Sequence, residues 1–240
     1  MSGEPPAIRD LITDDQFREV VQLQQTIWGF NDADLLPVRF FVVASKIGGQ
    51  VFGAYDAGNG EERMVAFCLA IPGLKPDGRT YLHSHMLGVL PEYRNSGLGR
   101  RLKFHQKESA LSRGIDLIEW TFDPLEIKNA WFNIVRLGAI VRRYARNLYG
   151  VTSSRFSGGL PTDRCTAEWW IRVDRQSVPI VEGVRLPADI ATIRATDPER
   201  ARVVQSELAD QFESAFARGL AVTGIERDDA FFTYLLGEVR

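Results

Sequence analysis

The chain has 240 residues, 45% of them apolar and 25% charged, a balance that fits one elaborated domain or a domain with a smaller lobe. A net charge of -2 gives no reason to expect nucleic acid or a membrane surface as partner. Two cysteines, Cys68 and Cys165, are too few for a disulfide framework, and no stretch is long enough to span a bilayer. The opening MSGEPPAIRD has no apolar signal core, so a soluble, cytoplasmic protein is expected.

Residues 7–10 read as a short first strand. Asp14 or Asp15 is placed to cap a helix running to about Trp28, with Phe17, Val20, Val21, Leu23 and Ile27 on one broad apolar face. Residues 31–37 form a loop, and 40–47 a short helix ending at Gly48-Gly49. Three strands follow at 51–56, 64–71 and 80–90. The turns between them, 57–61 and 72–78, are rich in Gly, Pro and Asp. A helix after Gly97 continues to about Ser112 and stops at Gly114. Residues 115–122 are a strand. Asp123-Pro124-Leu125-Glu126 then reads as an N-cap, a proline at the first helical position and a capping-box acid, and that helix closes at Leu137-Gly138. Residues 139–144 and 168–173 are two further strands, joined by a Gly/Pro loop at 157–163. In the tail, 184–186 and 191–195 read as extended. Asp197-Pro198 opens an amphipathic helix to about Arg218, and 220–225 and 230–236 form a closing pair of strands. The apolar face of that helix packs internally or against a second copy of the chain, the homodimer this reading allows.

The stretch LGVLPEYRNSGLGRR, residues 87–101, organises the rest. An apolar strand end, Leu87-Gly88-Val89, runs through Pro91 into Arg94-Asn95-Ser96-Gly97-Leu98-Gly99, and a basic helix opens there. Gly97 and Gly99 let the backbone approach a ligand closely. The first helical N–H groups have no partner inside the helix, the dipole there is positive, and Arg94, Arg100 and Arg101 add full charges. These features describe a pyrophosphate socket. No Gly-Lys-Ser/Thr follows, so it is not a nucleoside-triphosphate loop.

With the element order, the run Val89-Leu90-Pro91-Glu92-Tyr93-Arg94-Asn95-Ser96-Gly97-Leu98-Gly99 resembles the GNAT acyltransferase superfamily over roughly residues 7–173. The resemblance implies an α/β (α+β) fold with a mixed central sheet of splayed strands flanked by helices. It places the acyltransferase domain at 1–174 and a strand, helix and strand-pair extension at 175–240. It implies that the turn holds the diphosphate of acetyl-CoA or succinyl-CoA, with no metal. Leu87, Gly88 and Val89 would pair with the pantetheine amides, and strands 80–90 and 115–122 would part to admit the thioester. Members often carry a tyrosine acid three residues before the Leu-Gly pair; Ile134 stands there in this chain. The stretches at 84–89, 120–125, 129–133 and 159–164 resemble a long-tailed branch that includes N-succinyltransferases acting on amino acids.

Aminolysis of a thioester needs a neutral amine, a donor for the carbonyl oxygen and a proton for the thiolate. Two polar stripes lie on strands expected to be apolar. Tyr81, His83 and His85 share a face by the period of two. His85 is a candidate base, His83 a substrate contact, and both alternatively are hydrogen-bonded, half-buried side chains. Glu119, Thr121 and Asp123 form the second stripe. Glu119 is the other candidate base, Thr121 a substrate contact, and Asp123 a helix cap or a functional acid. Asn129 and Asn133 share a helix face that meets the coenzyme or solvent. Tyr144 and Tyr149 are alternative replacements for the missing acid, with Tyr149 preferred. Arg164 is a surface residue or a clasp for a carboxylate. The reading is an acyl-CoA-dependent N-acyltransferase acting on a small-molecule amine; the alternative is a catalytically silent acyl-CoA-binding sensor or assembly protein.

Overall fold

A computed structural model describes residues 4–58, 60, 62–150, 159–173 and 177–239. The chain divides into two compact units, residues 1–118 with 153–155, and residues 119–152 with 156–240. The expected boundary at 174/175 lies outside the described residues. So do positions 59 and 61 of the first expected turn and 157–158 of the Gly/Pro loop.

In the first unit, strands β1 (Ala7–Asp10), β2 (Gln50–Asp56), β3 (Arg63–Leu74) and β4 (Thr80–Val89) pair in sequence order, each antiparallel to the next. Helices α1 (Asp14–Trp28) and α2 (Val38–Lys46) cover one face, and α3 (Leu98–Ser112) covers the other. The α1 cap is Thr13, not Asp14 or Asp15. Its hydroxyl accepts from the Gln16 N–H, and the Gln16 side chain accepts from the Thr13 N–H, a reciprocal capping box. Asp14 and Asp15 instead fill the first turn, where carboxylates meet the positive dipole end. Strand β3 continues through Pro72 and Gly73, so the turn is confined to Lys75–Arg79, closed by Lys75 N–H donating to the Arg79 carbonyl at 2.8 Å.

The core of this unit is built from Phe17, Val20, Phe41, Phe52, Phe67, Leu69 and Leu102, all essentially solvent-free. Phe17 and Phe41 stack with ring centroids 6.0 Å apart, which locks α1 onto α2.

The second unit carries the strand order β5 (Leu117–Phe122), β7 (Arg164–Trp170), β6 (Ile140–Ala145), β9 (Leu220–Arg227), β10 (Phe231–Glu238) and β8 (Ile180–Pro187). The division between units falls inside β5. The observed β7 starts and ends earlier than the 168–173 expected, pairing with β6 from Ile140↔Glu168 to Ala145↔Arg164. The segment expected to be extended at 191–195 is helical, α5 (Ile190–Thr196). Ile190 and Ile193, three apart, bury one helical face, and this outweighs the local β-branched bias. Helix α6 (Pro198–Ala217) is capped by Asp197, whose carboxylate accepts from the Arg200 N–H at 3.0 Å. Asp123 is not a helix cap. Helix α4 (Ile127–Trp131) begins later and runs into a π turn at Phe132–Arg136. Tyr144, Phe212, Phe232 and Tyr234 pack ring to ring in the core of this unit.

Candidate functional site

The turn after β4 leaves backbone donors facing solvent. Pro91–Tyr93 makes one 3-10 turn, held by the Tyr93 hydroxyl on Asp56 and by Glu92 on Arg63 at 2.9 Å. Asn95 (φ 62) and Gly97 (φ 85) then adopt left-handed conformations, which turn the backbone sharply into α3. The Ser96 hydroxyl donates to the Tyr93 carbonyl at 2.6 Å and closes the turn from inside. The first bond of α3 runs from Arg101 N–H to the Gly97 carbonyl. Among the described residues nothing accepts from the N–H groups of Gly97, Gly99 or Arg100.

Leu98 is buried beneath the turn, while Arg94, Asn95, Ser96, Gly97 and Arg100 are exposed. A Cβ on Gly97 would meet nothing within 4 Å, and one on Gly99 would touch only Leu87 and Val89, at 3.6 and 3.9 Å. The Arg94 Nε–H donates to the Val89 carbonyl at 3.2 Å, and the Arg100 guanidinium lies 4.4 Å from the Phe104 ring centre. Open donors, two anchored cations and a clear approach fit a diphosphate.

Strand β4 carries the first polar stripe, and a bulge divides it. Met86 is opposite Leu69 and Ser84 is opposite Ala70, so His85 is an extra residue. Before the bulge Ser84 points to α3, where its hydroxyl meets Lys103 Nζ at 2.7 Å. Beyond it Leu87 and Val89 lie toward α3, and Gly88 faces Ile27 and Trp28 of α1. His83 and His85 lie together on the α1 and α2 side, ring centroids 5.9 Å apart, with Phe40 of α2 6.4 Å from His85. Loss of water around the His85 imidazole lowers its pKa. Tyr81 stacks over Gly73 and carries the Lys75 ammonium 4.5 Å from its ring centre.

Sequence reasoning passed over what lies behind the bulge. Lys103 is 3% exposed, a burial rare for lysine. Its ammonium meets Ser84, and also the Gln106 carboxamide oxygen at 3.3 Å. The Gln106 amide donates to the Cys68 sulfur at 3.3 Å, and the Gln50 amide donates to the Gln106 carbonyl at 3.1 Å. Burial pushes Lys103 down to about 8 and raises the Cys68 thiol, so Cys68 is a core thiol and not a neutral-pH nucleophile. The spacing of Leu98, Leu102, Gln106 and Ala110 along one helical stripe is the signal that would have placed Gln106, and with it Lys103, inside.

In the second unit, Glu119 is 3% exposed and ion-paired with Arg143 at 2.6 Å. Glu168 completes the cluster, 3.5 Å from Arg143 and 3.0 Å from Arg142. Thr121 and Tyr149 share a hydroxyl–hydroxyl bond of 2.8 Å, and the Arg164 guanidinium lies 5.5 Å from the Tyr149 ring centre. The structure thus brings Thr121, Tyr149 and Arg164 together. The Arg164 Nε is buried and has no hydrogen-bond partner among the described residues.

Tyr144 donates to Asp163 at 2.7 Å, and burial with that acid raises its pKa, which makes it a poor proton donor. Asp123 accepts from the Leu125 N–H at 2.8 Å and pairs with Arg194 at 3.1 Å; Glu126 takes the same guanidinium at 2.9 Å. Asn133 is buried and donates to the Asn129 carboxamide oxygen at 3.4 Å. Cys165 is a buried thiol with its pKa well raised. Among the described residues no group of three His, Cys, Asp or Glu side chains could hold a metal ion, and no helix is long and apolar enough to cross a membrane.

Comparisons with known proteins bear on this arrangement. A comparison with curated protein sequences gives no match. Among solved structures, NAA60 of Arabidopsis thaliana in complex with acetyl-CoA is similar, at 14% identity and TM-score 0.58, over 70% of this chain and 99% of that one. The ribosomal-protein-S18-alanine N-acetyltransferase of Escherichia coli is similar at 20% identity and TM-score 0.52, over 72% and 98%. An aminoglycoside 6'-acetyltransferase type Ii is similar at 18% identity and TM-score 0.53, over 71% and 99%. At these identities the likeness is one of fold, a mixed α/β arrangement of mostly antiparallel strands flanked by helices. The acetyltransferase (GNAT) family profile matches residues 8–132, a span that runs from within β1 through α4 and includes the turn at 94–100. A match over more than half of the sequence makes this chain a member of the GNAT acetyltransferase family.

Proposed function

We propose that the protein moves an acetyl or succinyl group from coenzyme A to the primary amine of a small molecule, an amino acid being the expected class. One observation carries this reading: in the exposed turn at 94–100, nothing among the described residues accepts from the Gly97, Gly99 and Arg100 N–H groups. The N–H groups of Gly97, Gly99 and Arg100, with the Arg94 and Arg100 cations, hold the diphosphate. The coenzyme, when bound, supplies the acyl group already activated as a thioester.

His85 takes the proton that the acceptor ammonium must lose before it can attack, directly or through one water. A pKa below the ordinary histidine value leaves the ring neutral at pH 7 and able to accept. His83 sits beside it as a substrate contact. Glu119, the other candidate base, is engaged by Arg143, which supports the choice of His85. The amino-acid expectation rests on the sequence resemblance to the long-tailed branch. Within the second unit, Arg164, with Tyr149 and Thr121 beside it, offers a guanidinium suited to a carboxylate.

Calorimetric titration with acetyl-CoA and succinyl-CoA tests the socket. Wild type is expected to bind at least one, and Gly97→Trp more than about tenfold more weakly, because a side chain would enter the space the phosphates need. A Cβ at this position meets no protein atom within 4 Å, and the left-handed backbone costs a side chain about 1–2 kcal/mol. Equal affinity in the two proteins would overturn the reading. A thiol-release screen of free amino acids, other small amines and peptide N-termini then identifies the acceptor. Binding without release of thiol for any amine would favour the sensor reading.

A further inference from the structure

We propose that Lys103 is a positioning residue for acyl transfer, its ammonium holding the β4 bulge through Ser84 and so fixing how His85 is presented. The inference rests on the reading of His85 as proton acceptor. Lys103 lies on α3, the helix whose first turn forms the phosphate socket, one turn beyond Gly99. Ser84 lies on β4 immediately before the extra residue, and the 2.7 Å contact joins the two. A bulge removes ladder pairing at the point where it occurs, so the strand needs another restraint there. Lys103 supplies one from the opposite face of the sheet, and Gln106 fixes the ammonium in turn.

The groups around the ammonium include Ser84 from β4, Gln106 from α3 and the Cys68 thiol from β3, with Gln50 of β2 joined through Gln106. Those around His85 include His83 on its own strand and Phe40 from α2. A purely packing residue at 103 would be apolar, because burying an ammonium opposes folding. An ammonium placed beside the bulge and bonded to Ser84 fits a role in setting geometry.

The chain has three histidines, so their ring Cε1–H signals can be followed individually by NMR. In wild type, His85 is expected to titrate below the ordinary histidine value. His85 is exposed on β4, so in Lys103→Met and in Ser84→Ala its titration should move away from the wild-type value as the bulge relaxes and the ring leaves its place beside His83 and Phe40. Steady-state acetyl transfer by the same variants should lose on the order of tenfold in kcat, with the KM for acetyl-CoA changed by less than about twofold. The double variant should lose no more than the larger single loss, since both substitutions cut one connection.

An unchanged His85 titration in a cooperatively folded Ser84→Ala overturns the proposal, whatever Lys103→Met does. Variants that lose stability while His85 and kcat stay as in wild type overturn it too, and leave Lys103 a packing residue. If wild type transfers no acetyl group to any amine, the functional reading fails separately, and the histidine titration still decides whether Lys103 holds the bulge.

Discussion

Lys103 also leaves a mark on stability that pH can read. Burial pushes its pKa down to about 8, against an ordinary value near 10.5 in the unfolded chain. Below about pH 8 the side chain is charged in both states, and the cost of burying the charge is fully present, on the order of 3 kcal/mol. Between about 8 and about 10.5 the unfolded chain binds a proton that the folded chain has released, so this contribution rises with pH across that window. The raised Cys68 thiol acts in the opposite sense in both proteins, which is why a difference is measured. The urea-derived stability of wild type minus that of Lys103→Met should therefore climb from pH 8 to pH 10.5; a flat difference would mean that the ammonium is hydrated. The strand pattern of 117–122 singled out Glu119 as a polar residue in a buried strand, and it is buried. Its partner Arg143 stands 24 residues away, and no local spacing announces such a pairing.

At the scale of elements, β4 decides most of the site. Read with a strict period of two, residues 80–90 put Tyr81, His83 and His85 on one face, and His83 and His85 do lie together. The same period carried on to Val89 gives the wrong side, because the extra residue at His85 inverts the alternation. Neither His85 nor Met86 is a glycine, so the bulge has no compositional signal. Gly88, by contrast, is explained by contact. A Cβ there would come within 2.8 Å of Ile27 and Trp28 and 2.9 Å of Phe67. Gly88→Val is expected to lose about 1–3 kcal/mol or more in urea unfolding, through overpacking of α1 against the sheet. A wild-type midpoint in that variant would mean that α1 can shift freely. Helix α5 escaped the sequence reading because Ile190 and Ile193 form too short an apolar period to outweigh Thr and Ile in a local window.

At the largest scale, residues 177–239 pack into the core of the second unit. Within the second unit, β6 pairs with β9 at Val141↔Val222, Tyr144 packs on Phe212 with centroids 5.8 Å apart, and Tyr234 donates to the Pro124 carbonyl at 2.5 Å. A chain ending at residue 174 would leave Val141 and Tyr144 uncovered. Its β6 and β7 amides should exchange with solvent at the rate of an unfolded segment, whereas the full chain protects them. Protection of β6 in the shortened chain would show that residues 119–173 hold together without the tail.

The chain's local chemistry was enough to determine the left-handed turn at 94–100, the flanking strand and helix, and through them the family. Two glycines, three arginines and a proline act over a dozen residues, and left-handed conformations and free helix N–H groups are short-range properties. Folding alone decided which polar residues meet. The Lys103–Ser84 contact, the Glu119–Arg143 pair, the Thr121–Tyr149–Arg164 group and the bulge at His85 join residues of different elements or depend on strand register. Those partnerships follow from burial and pairing across the sheet, which the order of residues along a single strand or helix does not encode.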